Sequence, residues 1–283
     1  MVLFVSDLDG TLLNDVSEID KVSLETLNRL IENGVHFTIA TARAFPAIRS
    51  ILEGLELKLP VIEQNGAMLR DFSTGQVIEA KLMASRDVAT VCEVFDHHKV
   101  DPLVSVLEGD KNSVLYNRID NPGMDWAVTT MRDVKYQRDL IVCDNHDTVV
   151  SSAVLLFRYL GSEIQIKEMA NKISTSTADI SVSHFHNYFT DGWEINISSI
   201  EANKGHALKT LRPYANGISK IVAFGDNDND MDMFHHADES YAVANATPAI
   251  RNKATATIGM NTDNAVVGYI EQRVSDILSG RKP

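Results

Sequence analysis

Two aspartates one residue apart, Asp7 and Asp9, end the apolar run Val2-Leu3-Phe4-Val5 and are followed by Gly10 and Thr11. Carboxylates this close in a cleft repel each other unless a cation or a shared proton relieves them. A second acidic stretch follows Ile221-Val222-Ala223-Phe224-Gly225. It is Asp226-Asn227-Asp228-Asn229-Asp230, three aspartates and two asparagines in five positions. Hard oxygen ligands from two loops suit Mg²⁺, which keeps several waters and bridges to a substrate phosphate. Between the two clusters lie Thr41 and Lys204. Thr41 closes the apolar run Val35 to Ala40 just before a helix start, where a hydroxyl and backbone N–H groups suit a phosphate. Lys204 opens a helix, placing an ammonium beside the positive end of the dipole, which a bound anion would explain. Each residue alone has a plainer reading: Asp and Gly form turns, Thr caps helices, Asp228 can be a solvated loop acid. Together they offer carboxylates for a metal and a hydroxyl and an ammonium for a phosphate.

The elements needed to bring them together follow from periodicity. Val2 to Val5 reads as a strand buried on both faces, at home in the middle of a parallel sheet, with chemistry just beyond its carboxyl end. Ser17 to Glu32 carries a helical period stopped by Asn33-Gly34, and Val35 to Ala40 returns as a parallel strand through a right-handed crossover. A helix begins near Ala44-Phe45-Pro46. Leu59 to Ile62 is a third strand ending at Gln64-Asn65-Gly66, and Ala67–Phe72 pairs with Gln76–Ala80 as a hairpin. From Met83 to about Ile195 the rhythm changes to antiparallel strands mixed with helices: a helix around Val88 to Phe95, a strand Ala153 to Leu160, a helix Glu163 to Ile173, then strands Asp179 to Ser183 and Trp193 to Ile197. The first style resumes with the helix Ala207 to Tyr214 and the strand Ile221 to Phe224. It continues through the helix from Met231 and strands at Tyr241–Ala244 and Thr255–Ile258, separated by a helix at Pro248–Lys253. The helix Val266–Leu278 closes it. The expectation is an α/β chain with a discontinuous core, 1–82 and 198–283, and an inserted α/β domain, 83–197.

The 283 residues suffice for two moderate domains, and 44% hydrophobic with 23% charged residues is an ordinary globular composition. A formal charge of -13 opposes nucleic acid and anionic membranes, yet permits a small anionic substrate beside a local cation. Cys92 and Cys143 lack metal-ligand spacing and read as reduced packing residues. Asp7 interrupts the apolar region a signal peptide would need, and no apolar run is long enough to span a bilayer. A cytoplasmic enzyme, monomeric or weakly self-associating, is expected.

Asp7-Leu8-Asp9-Gly10-Thr11, Thr41, Lys204 and Gly225-Asp226-Asn227-Asp228-Asn229-Asp230 resemble the four motifs of the haloacid dehalogenase superfamily. Their order and the long insert after Asn65-Gly66 resemble its Cof-type hydrolases and sugar phosphatases. The resemblance covers the whole chain and implies a Rossmann-like core with a parallel central sheet plus an inserted cap. It implies Asp7 as nucleophile forming an aspartyl-phosphate and Asp9 as general acid, then base. Thr41 and Lys204 would hold the transferring phosphoryl oxygens, with Leu8, Ala42 and Asn229 completing the phosphate site. Mg²⁺ would be bound by the Asp7 carboxylate, the Asp9 backbone carbonyl and Asp226, with Asp230, Asn65 and Arg43 in support. Where many relatives have Gly, this chain has Ala42, which keeps the N–H but restricts φ.

No GxGxxG or GxxxxGK[ST] run occurs. His184 and His186 alternate on a strand, and His97-His98 and His235-His236 are adjacent, but no carboxylate or Cys pattern supports a metal there. Trp126 and Trp193 read as packing anchors. The leading expectation is a Mg²⁺-dependent phosphatase of small phosphorylated metabolites. A phosphomannomutase-like mutase on the same scaffold and a phospho-ligand-binding regulator without turnover are the alternatives.

Overall fold

In the computed structural model, which describes residues 1–133, 138–187 and 189–280, strand Val2–Ser6 is an interior strand of its sheet. Lys220–Gly225 and His36–Ile39 flank it in parallel, and the five-stranded order is Ala256–Thr257, Glu239–Ala242, Lys220–Gly225, Val2–Ser6, His36–Ile39, every pair parallel. Leu3, Phe4 and Val5 are buried on both faces, which is why this segment is continuously apolar. A single bridge, Ala40 to Ile62, carries the sheet on to Val61–Glu63. That short strand also pairs antiparallel with Met68–Arg70, which with Val77–Ala80 completes a three-stranded sheet.

Helix Lys21–Glu32 starts four residues after Ser17, where its period first shows in the sequence. The Asp20 carboxylate accepts the N–H groups of Val22 and Ser23 and so fixes the start, while Ser17 sits in the left-handed region at φ 57°. Helix Lys204–Leu211 starts where Lys204 was expected to open it, with Asn203 capping the N–H of His206, and its α-helical part ends at Leu211, short of Tyr214. Helices Phe45–Ile51, Met231–His236, Pro248–Lys253 and Ala265–Leu278 complete this part.

The chain divides into two compact units, Met1–Glu79 with Asn203–Pro283, and Ala80–Ala202. These boundaries lie a few residues outside the crossings expected at 83 and 197. The second unit holds a six-stranded sheet in the order Ile180–Asn187, Gly192–Ser199, Val154–Gly161, Leu103–Glu108, Lys111–Tyr116, Asp139–Val142. Its pairs are antiparallel except the last, which is parallel. Phe95 of helix Ser85–His98 meets Phe157 and Tyr159, and Lys167 of helix Glu163–Ser176 lies over the Trp193 ring, so both helices cover the same sheet face. The hairpin Leu103–Glu108 with Lys111–Tyr116, helix Pro122–Arg132 and the pair Asp139–Val142, His146–Ser151 were not anticipated. Among the described residues no helix is long and apolar enough to cross a membrane.

Candidate active site

The carboxyl ends of adjacent strands build the site. Asp7 leaves Val2–Ser6 with its N–H on the Phe224 carbonyl (3.0 Å), so the two acidic loops depart from neighbouring strands in register. Gly10 makes the first loop turn at φ 73°, and a Cβ there would stand 2.6 Å from Asp226 Oδ2. Only glycine allows both the conformation and the approach. Thr11 Oγ1 donates to Asp226 Oδ1 at 3.1 Å, and Asn245 Nδ2 donates to the Gly10 carbonyl at 2.7 Å.

Lys204 is fully buried, its Nζ donating to Asp7 Oδ1 at 2.6 Å and to Asp230 Oδ1 at 2.7 Å. Asp230 Oδ2 accepts the N–H groups of Asp226 (3.0 Å) and Asn227 (3.1 Å), which ties the second loop to the lysine. The ammonium at a helix start is therefore answered by the protein's own carboxylates. Burial lowers the tendency of Lys204 to hold its charge, but Asp230 and Asp7 outweigh it and the pKa is raised. Burial pushes Asp7 up to about 8, aided by Asp230 and Asp226 and opposed by Lys204. Burial and then Asp230 lift Asp226 to about 6.

Burial is the main cause of both upward shifts, with the neighbouring carboxylates adding to it. Asp7, Asp226 and Asp230 bring carboxylate oxygens within 4.8 Å of one another, the one such group of three metal-capable residues among the described residues. Both oxygens of Asp230 are engaged by Lys204 and by backbone N–H groups. The oxygens left to a cation are on Asp7 and Asp226, a hard donor set that fits Mg²⁺. Asp230 is the anchor of Lys204.

Thr41 extends the second strand, its N–H on the Ile62 carbonyl at 2.9 Å. Its loop is held from outside: Asn65 N–H donates to the Thr41 carbonyl (2.9 Å) and Gln64 N–H to that of Arg43 (3.0 Å). Thr41 Oγ1 accepts the Arg43 N–H at 3.2 Å. Ala42 lies between them in this loop, and its N–H is the group expected to meet phosphate. The Arg43 guanidinium grips Asp9, Nε to Oδ2 at 2.7 Å and Nη2 to Oδ1 at 2.6 Å. Leu8 buries its side chain in the core, so only its backbone can serve a ligand. Asn229 Nδ2 donates to Asn65 Oδ1 at 3.0 Å, joining two supporting residues, while Asp228 is exposed.

Some contributors were not visible in the sequence. Helix Phe45–Ile51 has no side-chain cap of its own, and Glu63 supplies one, accepting the Phe45 N–H at 2.6 Å and the Arg70 Nε at 2.6 Å. Gly66, at φ 95°, lies so close to Asn203 that a Cβ would stand 2.2 Å from its carbonyl oxygen. The histidine pairs gather no third metal ligand among the described residues. His184 and His186 flank Trp193, with ring centroids at 5.9 and 6.3 Å, on the helix-covered face of the second unit.

The family model for haloacid dehalogenase-like hydrolases matches residues 4–270. Among characterised proteins, the chain is 25% identical over 269 residues to pyridoxal phosphate phosphatase YbhA of Escherichia coli, covering 93% of this chain and 95% of the relative. It is 26% identical over 282 residues to 5-amino-6-(5-phospho-D-ribitylamino)uracil phosphatase YitU of Bacillus subtilis, covering 96% and 97%. A solved haloacid dehalogenase-like hydrolase from Bacteroides thetaiotaomicron superposes with a TM-score of 0.77 at 19% identity, over 96% of this chain and 98% of that one. On the extent of the family match and the fold, this chain belongs to the haloacid dehalogenase-like hydrolases.

Proposed function

We propose that the protein is a Mg²⁺-dependent phosphatase of small phosphorylated metabolites that works through an aspartyl-phosphate. The observation that carries this reading is the buried ammonium of Lys204 spanning Asp7 and Asp230, with Asp226 alongside. Phosphoryl transfer asks a protein mainly for alignment and for cancellation of charge on the equatorial oxygens. Both relatives named above are phosphatases of phosphorylated small molecules, one of them bearing a ribityl chain.

In this mechanism an Asp7 oxygen attacks phosphorus as the bond to the leaving oxygen breaks. Asp9 gives that oxygen its proton, then takes one from the water that attacks the aspartyl-phosphate, releasing phosphate and freeing Asp7. The Thr41 hydroxyl, the Ala42 N–H and Lys204 hold the phosphoryl oxygens, and Asn229 with Asn65 braces the rim. Asp7, the Asp9 carbonyl and Asp226 would hold Mg²⁺, which supplies charge neutralisation between nucleophile and phosphate. Asp9 is paired with Arg43 on both oxygens, which orients the carboxylate and leaves each oxygen a second lone pair for the proton.

The inserted unit Ala80–Ala202 is proposed to choose among phosphomonoesters, since none of the chemistry above draws on it. A panel of phosphomonoesters assayed with Mg²⁺ tests the reading: release of inorganic phosphate without an activating bisphosphate supports it. Release that depends on a bisphosphate would make the protein a mutase. Binding without turnover across the panel would make it a regulator.

A further inference from the structure

Residues 62–65 hold the loop of Thr41 and Ala42 at every second position. The Ile62 carbonyl accepts the Thr41 N–H (2.9 Å), and the Thr41 and Arg43 carbonyls accept the N–H groups of Asn65 (2.9 Å) and Gln64 (3.0 Å). The Glu63 carboxylate accepts the Phe45 N–H at 2.6 Å. Positions 41, 43 and 45 are thereby tied from one side, and among the described residues nothing accepts the Ala42 N–H between them. Three of the four ties join backbone to backbone and need no particular side chain. The fourth depends on Glu63 alone.

Glu63 is fully buried, and its other oxygen accepts Arg70 Nε at 2.6 Å, with Arg70 buried as well. Arg70 Nη1 donates to the Gly75 carbonyl at 2.6 Å, and the guanidinium carbon lies 5.0 Å from the Phe45 ring centroid. A buried ion pair adds little net stability over apolar residues of the same volume. A helix of seven residues could also be capped locally by a Ser or Asp in place of Ala44. Stability alone therefore does not account for a buried carboxylate at this point, whereas a fixed loop does.

We propose that Glu63, oriented by Arg70, is a positioning residue for phosphate. It fixes the far end of loop 41–45, so that the Ala42 N–H and the Thr41 hydroxyl meet the phosphoryl oxygens together. The inference rests on the phosphatase reading, in which Thr41 and Ala42 grip those oxygens. A loop tied only at 41 and 43 is free to turn about Ala44, and donors that must be ordered on binding give up part of their affinity. The same donors meet the bound ester and the product phosphate alike, so the effect falls on affinity for both. It does not fall on Mg²⁺, whose proposed ligands Asp7, Asp9 and Asp226 stand on other loops.

The test compares two double variants of the full-length protein, both without the ion pair. Glu63→Gln with Arg70→Met keeps an oxygen for the Phe45 N–H, and Glu63→Leu with Arg70→Met removes it. Calorimetric titration with inorganic phosphate in the presence of Mg²⁺ should show affinity at least about fivefold weaker in the second than in the first. KM for the best phosphomonoester should rise in step, with kcat within about threefold. The Tm shift given by Mg²⁺ should be the same in both. A merely structural cap would lower stability and leave phosphate affinity alone, so affinities that differ by less than about fivefold overturn the proposal. So does a Mg²⁺ response that falls along with phosphate affinity. Should either double variant fail to fold by circular dichroism, Phe45→Pro and Phe45→Ala replace them under the same criterion. Both lose the ring, and only the first loses the N–H, at a helix position where proline fits. A protein that hydrolyses no phosphomonoester contradicts the phosphatase reading instead. The phosphate titration then decides the positioning role by the same ratio, and a wild type that binds no phosphate overturns it.

Discussion

Arg43 and Asp9 form a two-pronged ion pair that joins the loop after the first strand to the loop after the second, with N···O distances of 2.7 and 2.6 Å. A planar guanidinium fixes a carboxylate in orientation as well as position, which an ammonium cannot do. Arg43 thereby parks the proposed proton carrier at the rim of the site.

If Arg43 acts through Asp9, its loss should matter most when the leaving group needs a proton. Arg43→Ala is expected to lower kcat for alkyl phosphates by about 10² and to affect p-nitrophenyl phosphate far less, with Arg43→Lys giving only partial recovery. An equal loss for both leaving groups would assign Arg43 to phosphate binding instead.

Among the described residues, Lys204 is the cation that pairs with the buried carboxylates Asp7 and Asp230. Lys204→Met should destabilise the fold by about 3–5 kcal/mol near neutral pH, the cost of a buried ion pair robbed of one partner. The loss should grow as pH rises toward and past about 8, where the folded Asp7 gives up its proton and its charge is left without the ammonium. Urea denaturation at several pH values measures this, and a penalty independent of pH would argue against the buried charge balance described here.

Folded values of about 8 for Asp7 and about 6 for Asp226 lie above their ordinary 3.8. Between 3.8 and about 8 the folded protein therefore binds more protons than the unfolded chain. The stability from these groups is complete below that window and is lost as pH rises through it. Mg²⁺ displaces those protons, so its stabilising shift in Tm should be larger at pH 8 than at pH 6. A shift that is equal or larger at the lower pH would contradict a site on Asp7 and Asp226.

Asp7, Thr41, Lys204 and Asp226 could be found in the sequence because each follows a short apolar strand or opens a helix, and strand order in a parallel sheet gathers such ends. The Arg43–Asp9 pair was not legible, since a long side chain's partner 34 residues away is set by the packing of two loops. The Glu63 cap on Phe45 was hidden for the same reason: the helix carries no local capping residue. Local signals also placed the start of the first helix a turn early, where Asp20 caps inside the apolar period. In the stretch from Val100 to Ser152, the hairpin Leu103–Glu108 with Lys111–Tyr116 is local and was missed, while the edge strand Asp139–Val142 is held by a parallel pairing more than twenty residues away and leaves Ile141 and Val142 exposed.

Gly66 shows how tightly the third strand end is seated against the start of the Lys204 helix. Gly66→Ala combines φ 95° with a Cβ 2.2 Å from the Asn203 carbonyl oxygen, and backbone rather than a mobile side chain must yield. A loss of about 2–4 kcal/mol is expected, together with a raised KM from displacement of Lys204. Wild-type stability in this variant would show that the contact can relax.

The central claim is that Asp7 is the nucleophile, and Asp7→Asn tests it most directly because it keeps the shape and removes the attacking charge. With Mg²⁺ and the best phosphomonoester, kcat of the purified, folded variant is predicted to fall by at least about 10³-fold. Turnover within about tenfold of the wild type, in protein free of contaminating phosphatase, would contradict the account.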